Sequence, residues 1–237
     1  MEEKDVDYVL VPLGLGIMII YHIWLVYTLY KHPTQTVMGL NAESRHQWVF
    51  SMMSDPLKNG VLAVQTIRNN IMASTLLATT AITLSSIISV FVSSTSNSNH
   101  AASQLVYGNK TSLLSSLKYF AILLCFLVAF LCNVQSIRYY AHVSFLITVP
   151  AFVGQREPLN YVSRNLNRGS MFWSIGLRAF YFSFPLFLWI FGPIPMFVCC
   201  IIMSFVLYFL DTTTSFTRNL HSYSMRDKIE ASQNENV

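Results

Sequence analysis

The chain has 237 residues, of which 53% are hydrophobic and only 11% charged, with 15 Lys and Arg against 11 Asp and Glu. A soluble domain carries about a quarter of charged residues, so an ordinary water-soluble globule is excluded. The few basic residues lack the clustering and interleaved aromatics of a nucleic-acid surface.

Five apolar runs divide the sequence: residues 9–30, 71–92, 119–137, 171–190 and 193–210. A bilayer core about 30 Å thick is crossed by roughly 20 apolar residues of helix. The pattern predicts an all-α, polytopic transmembrane bundle whose helices extend into the cytoplasm. Residues 1–218 form a single membrane domain, and residues 219–237 a polar cytoplasmic tail. Such a chain has no room for a separate globular domain.

The first run follows Glu2, Glu3, Asp5 and Asp7. A cleaved signal would carry basic residues there, so the run is expected to remain as a helix. His22 within it is read as a hydrogen-bonded packing residue, with a proton or ligand role as the alternative.

Asp55-Pro56 is a helix start, with Asp as N-cap and Pro at the first helical position. No proline follows before Val92, so one helix of about 37 residues, about 55 Å long, is expected. Its first part, residues 57–70, projects from the bilayer and carries Arg68, Asn69 and Asn70. The membrane part lacks charge but carries many hydroxyls. At about 100° per residue, Arg68, Thr75, Thr79, Thr83, Ser86 and Ser93 form one stripe. Close helix packing is one reading, because small residues and hydroxyls populate helix interfaces. The polar wall of a pathway is the other.

Residues 93–103 are rich in Ser, Asn and Ala and read as a flexible link. Asn109-Lys110-Thr111 is a possible glycosylation sequon. In the third helix, Gln135, Arg138, Tyr139 and His142 share a face. They are either a solvated, headgroup-facing extension or a basic mouth near the inner leaflet.

Arg178 lies inside the fourth apolar run, where an arginine is costly and normally faces protein or water. Asp55 and Asp211 are its candidate acidic partners, and the sequence does not choose between them. Gly192-Pro193-Ile194-Pro195 should break the segment 171–210 into two spans. The alternative is one span with a re-entrant piece, giving four spans in all.

Eleven basic residues (Lys31, Arg45, Lys58, Arg68, Arg138, Arg156, Arg164, Arg168, Arg218, Arg226 and Lys228) fall on one side of this topology, and three (Lys4, Lys110 and Lys118) on the other. The positive-inside rule then puts the N-terminus outside and the C-terminus in the cytoplasm. Cys125, Cys132, Cys199 and Cys200 all lie in apolar runs, so neither a disulfide framework nor a zinc site is expected. No signature of a hydrolase, kinase, nucleotide-binding or metalloprotease site occurs, and no cofactor is implied.

Three stretches carry a family likeness: residues 60–82 (GVLAVQTIRNNIMASTLLATTAI), 138–147 (RYYAHVSFLI) and 169–196 (GSMFWSIGLRAFYFSFPLFLWIFGPIPM). They resemble the plant and bacterial membrane family called domain of unknown function 599. The resemblance implies a multi-pass membrane protein, commonly with about four spans, and a plant member. It implies no catalytic residue.

The leading expectation is a homo-oligomeric channel- or transporter-like protein with a basic pathway favouring small anions. Its candidate residues are Arg68, Asn69, Asn70, Thr75, Thr79, Thr83, Gln135, Arg138, His142 and Arg178. The alternative is a non-transporting adaptor whose basic inner loops bind acidic lipids or a cytoplasmic partner.

Overall fold

The computed structural model describes residues 3–97, 112–149 and 156–214. It is helical throughout: α1 (Glu3–Lys31), a 3-10 turn (Pro33–Gln35), α2 (Val37–Ser54), α3 (Pro56–Asn97), α4 (Ser112–Leu146), α5 (Arg156–Leu188) and α6 (Pro193–Asp211). Five of these, α1, α3, α4, α5 and α6, are long and apolar enough to cross a membrane.

The predicted punctuation operates at the atomic level. The Lys58 amide donates to Asp55 Oδ1 at 3.2 Å, so Asp55 caps α3 where Pro56 opens it. Gly192 takes a φ of 154°, a conformation open to glycine and rare for other residues, and Pro193 then starts α6. The segment 171–210 therefore divides into two helices, each long and apolar enough to cross a membrane.

Other boundaries differ from expectation. Residues 37–54, which hold no apolar run, form α2. Helix α5 begins at Arg156, well before the apolar run at Met171. Helix α3 continues to Asn97, through part of the stretch read as a flexible link. Helix α2 and the first part of α5 are held by packing on neighbouring helices, through Val49, Met53, Val162 and Leu166. The remainder of that link, the sequon at Asn109 and the polar tail lie outside the described residues.

Helix α4 packs against α3 on one side and α5 on the other, α6 lies beside α5, and α1 packs on α6. Two cores result. One lies along the membrane helices and includes Met18, Ala81, Ile122, Phe126, Met196 and Cys200. The second is built from Val49 and Met53 of α2, Ile67 of α3, Tyr140 and Val143 of α4, and Leu166 of α5. Large apolar side chains such as Ile20, Leu76 and Phe205 remain exposed, as suits a lipid-facing surface.

Small residues bring α4 and α5 close together. A Cβ on Gly176 would stand 2.6 Å from Asn133 Nδ2, and one on Gly169 would stand 2.9 Å from Tyr140 Cε1. Ser136 Oγ donates to the Gly169 carbonyl at 2.9 Å and lies 3.3 Å from Ser74 Oγ, so buried hydroxyls join α3, α4 and α5. This is the hydroxyl-and-small-residue packing typical of helices in lipid.

Candidate functional site

One set of polar groups gathers where α2 meets the membrane helices. Two connected features form there: a carboxylate-centred junction and a basic cleft.

Asp211, at the end of α6, anchors the junction. It accepts two hydrogen bonds from Arg178, at Nη1 and Nη2, each 2.9 Å long. Its Oδ2 also accepts from the hydroxyl of Tyr21 on α1. Asp211 is thus the partner that the sequence left open, and Asp55 instead caps α3. A bidentate pair of this kind satisfies a planar guanidinium that is mostly out of solvent. His22, beside Tyr21, holds the Met18 carbonyl through Nδ1 at 2.7 Å and packs on Phe182.

The 3-10 turn is tied to the same place. Thr36 and Thr212 form an isolated antiparallel bridge, and Thr213 N donates to the Gln35 carbonyl at 3.1 Å. Thr36 Oγ1 caps α2 by accepting from Gly39 N at 3.2 Å. A Cβ at Gly39 would lie 2.1 Å from the Pro33 carbonyl oxygen, so only glycine fits this approach. Together these contacts fix where α2 leaves the bundle.

A cleft of about 600 Å³ opens between α2 and α5. Its polar part carries Arg45 and His46 from α2, and Arg164, Asn167 and Arg168 from α5. Glu43 is its one acidic lining residue among the described residues. Its apolar part carries Leu29, Pro33, Met38, Met171 and Trp173. Arg45 is half-buried, and its Nε donates to Asn167 Oδ1 at 2.7 Å. Asn167 Nδ2 in turn donates to the Ala42 carbonyl at 3.2 Å, and His46 Nδ1 lies 2.9 Å from Ser163 Oγ. Burial lowers the Arg45 pKa from its ordinary value, and Tyr140 opposes that shift. No carboxylate among the described residues pairs with this guanidinium. Met38 joins the two features, since it lines the cleft and receives Arg178 Nη2 at 3.3 Å on its sulfur.

The residues expected to line a pathway do not converge. Arg68, Asn69 and Asn70 are exposed on α3. Thr75, Thr79 and Thr83 are also exposed, and each hydroxyl donates to the carbonyl four residues earlier, at 2.9, 3.1 and 2.9 Å. Helix α3 instead packs inward through Ser74, Ala78, Ala81 and Ile88. Gln135 is half-buried and Arg138 exposed, while His142 meets Tyr161 of α5 at 3.2 Å. Of the ten candidates, Arg178 alone adjoins the cleft, through Met38.

The cleft residues Arg45, His46 and Asn167 were not singled out in the sequence. In the sequence, Arg45, Arg164 and Arg168 stand out only as charges on the basic side of the topology, because neither α2 nor the start of α5 has an apolar run to announce it. One signal was available: placed on a helix, Ser163, Arg164, Asn167 and Arg168 follow a three-to-four-residue spacing that gathers them along one side.

Five helices long and apolar enough to cross a membrane, with a polar layer at one end, mark a polytopic integral membrane protein. The chain belongs to the family described as protein of unknown function, DUF599, whose model matches residues 9–216. Neither the curated proteins nor the solved structures contain a match to it.

Proposed function

We propose that the protein is a non-conducting membrane receptor or adaptor that holds an anionic ligand in the α2–α5 cleft on the cytoplasmic face. One observation carries this reading: among the described residues, the half-buried Arg45 guanidinium has an amide oxygen as its partner and no carboxylate, within a cleft also lined by Arg164 and Arg168. Unpaired guanidinium groups favour carboxylates and phosphates, which accept from them bidentately. The outward hydroxyl stripe of α3 gives a channel weaker support. Those hydroxyls bond carbonyls of their own helix and need no further partner.

The cytoplasmic placement rests on the asymmetry of basic residues, with α2 and the first half of α5 on the side that carries most of them. The single membrane domain over residues 1–218 belongs to the same reading. Protease protection of terminal tags tests the topology: an outside N-terminus and an inside C-terminus are expected, and both on one side would overturn it. Reconstituted vesicles test the activity. Saturable binding of anionic lipid or phosphate without anion flux is expected, whereas selective current abolished by Arg68→Glu would restore the channel.

A further inference from the structure

The cleft changes character along its length. On α5 its lining runs from Ser163 through Arg164 and Arg168 to Met171, Trp173 and Ser174. At about 1.5 Å per residue this wall is about 16 Å long. The polar headgroup zone on each side of a bilayer is about 5–8 Å deep. The apolar run of α5 begins at Met171, so the cleft crosses from the headgroup zone into the acyl region. Leu29, near the end of α1, and Met38 add further apolar lining.

A free anion would occupy only the polar end and leave the apolar part uncovered. A lipid matches both. The charges narrow the headgroup. Three guanidinium groups opposed by Glu43 leave a net +2, counting the imidazole as uncharged. A phosphodiester carries a single negative charge, whereas a phosphomonoester carries about −1.5 to −2 and presents three acceptor oxygens. Arginine, with its planar fork of donors, suits such a group better than a point charge.

Resting on the anionic-ligand reading above, we infer that the cleft binds a membrane lipid with a phosphomonoester headgroup, entering sideways from the inner leaflet. The phosphate lies among Arg45, Arg164 and Arg168, and the acyl chains leave along Met171 and Leu29. Asn167 is a positioning residue, because it holds Arg45 Nε and ties α5 to the α2 backbone.

The test uses the full chain in phosphatidylcholine nanodiscs. These are doped with phosphatidic acid, phosphatidylinositol 4-phosphate or phosphatidylserine at matched total charge. Native mass spectrometry reads the lipid retained after extraction into detergent. Hydrogen bonds to charged groups contribute about 1.5–3 kcal/mol each, so one extra such contact is about a tenfold or greater preference. Both phosphomonoester lipids should therefore be retained at least about tenfold over phosphatidylserine. Arg45→Gln should remove that preference and Arg45→Lys restore part of it. Arg164→Gln with Arg168→Gln, at exposed positions that leave the fold intact, should lower it about tenfold.

Equal retention of phosphatidylserine overturns the phosphomonoester inference and leaves the anionic-ligand reading standing. Calorimetry with inorganic phosphate and glycerol 3-phosphate separates the sources. If these bind as tightly as the lipids, the lipid inference fails and the receptor reading survives. Failure of all these probes to bind, or retention unchanged in the exposed double variant, overturns both.

Discussion

Met18, Ile122, Phe126 and Met196 meet in a core where aliphatic and aromatic groups do nearly all the packing, with small residues and buried hydroxyls between α3, α4 and α5. At the α2 end, α5 meets α2 through side-chain hydrogen bonds as well: Arg45 to Asn167, Asn167 to Ala42, and His46 to Ser163. Both regions use α5, yet Arg156–Leu188 serves them with different halves. The comparison teaches where specificity resides. A core in lipid gains little from hydrophobicity, since acyl chains are equally apolar, and depends on shape. The polar layer is anchored by directional bonds, and donors left over from those bonds remain available to a ligand.

The sharpest way to break this division is at its border. Arg178 and Asp211 bridge α5 and α6 where the two regions meet, with Tyr21 closing the group. Removing one partner of a largely buried pair leaves the other uncompensated, at a cost of about 3–5 kcal/mol. Arg178→Leu should therefore lower thermal stability in detergent more than any other single change discussed. Arg178→Leu with Asp211→Leu should recover most of the loss. If the double variant is no better than the single, the pair is not what the Asp211 carboxylate is there to satisfy.

A middle-sized effect separates the two regions directly. Gly176→Ala drives a methyl against Asn133 in the membrane core, and Gly39→Ala drives one against the Pro33 carbonyl where α2 begins. Overpacking of this kind costs about 1–3 kcal/mol. Gly176→Ala should lower the global melting temperature. Gly39→Ala should instead raise hydrogen exchange over residues 37–54 while protection in α4 stays unchanged. Loss of α4 protection in Gly39→Ala would show that the two regions fold as one unit.

These differences follow what was legible in the sequence. Apolar runs reveal helices suited to lipid, so the apolar part of each of the five long helices was readable, as were the Asp55-Pro56 start and the Gly192-Pro193 break. The resemblance to domain of unknown function 599 also stands, by the family match over residues 9–216. Helix α2 was not readable, because its apolar content is low and its inward residues, Val49 and Met53, are few. Helix α5 was half readable for the same reason. The site suffered most, because Arg45 meets Asn167 across a separation of 122 residues. An arginine in a run of leucines and phenylalanines is conspicuous, whereas an arginine in a polar stretch is not. Arg178 therefore drew notice and Arg45 did not.

The smallest expected effect tests the face that neither region covers. Thr75, Thr79 and Thr83 point away from the other helices, and each hydroxyl already has a carbonyl of its own helix as acceptor. Replacing such a group with an isosteric apolar one in lipid removes no partner from anything else. Thr79→Val should thus change stability by less than about 0.5 kcal/mol, the ordinary range for surface substitutions. The measurement is the melting temperature of the purified protein in nanodiscs, read beside its oligomeric state by mass photometry. A shift of several degrees accompanied by a change in mass would mean that the stripe is covered by a second copy of the chain. In that event the outward face of α3 is a third packing region, with hydroxyls that bond across copies, and the homo-oligomeric pathway regains its strongest support.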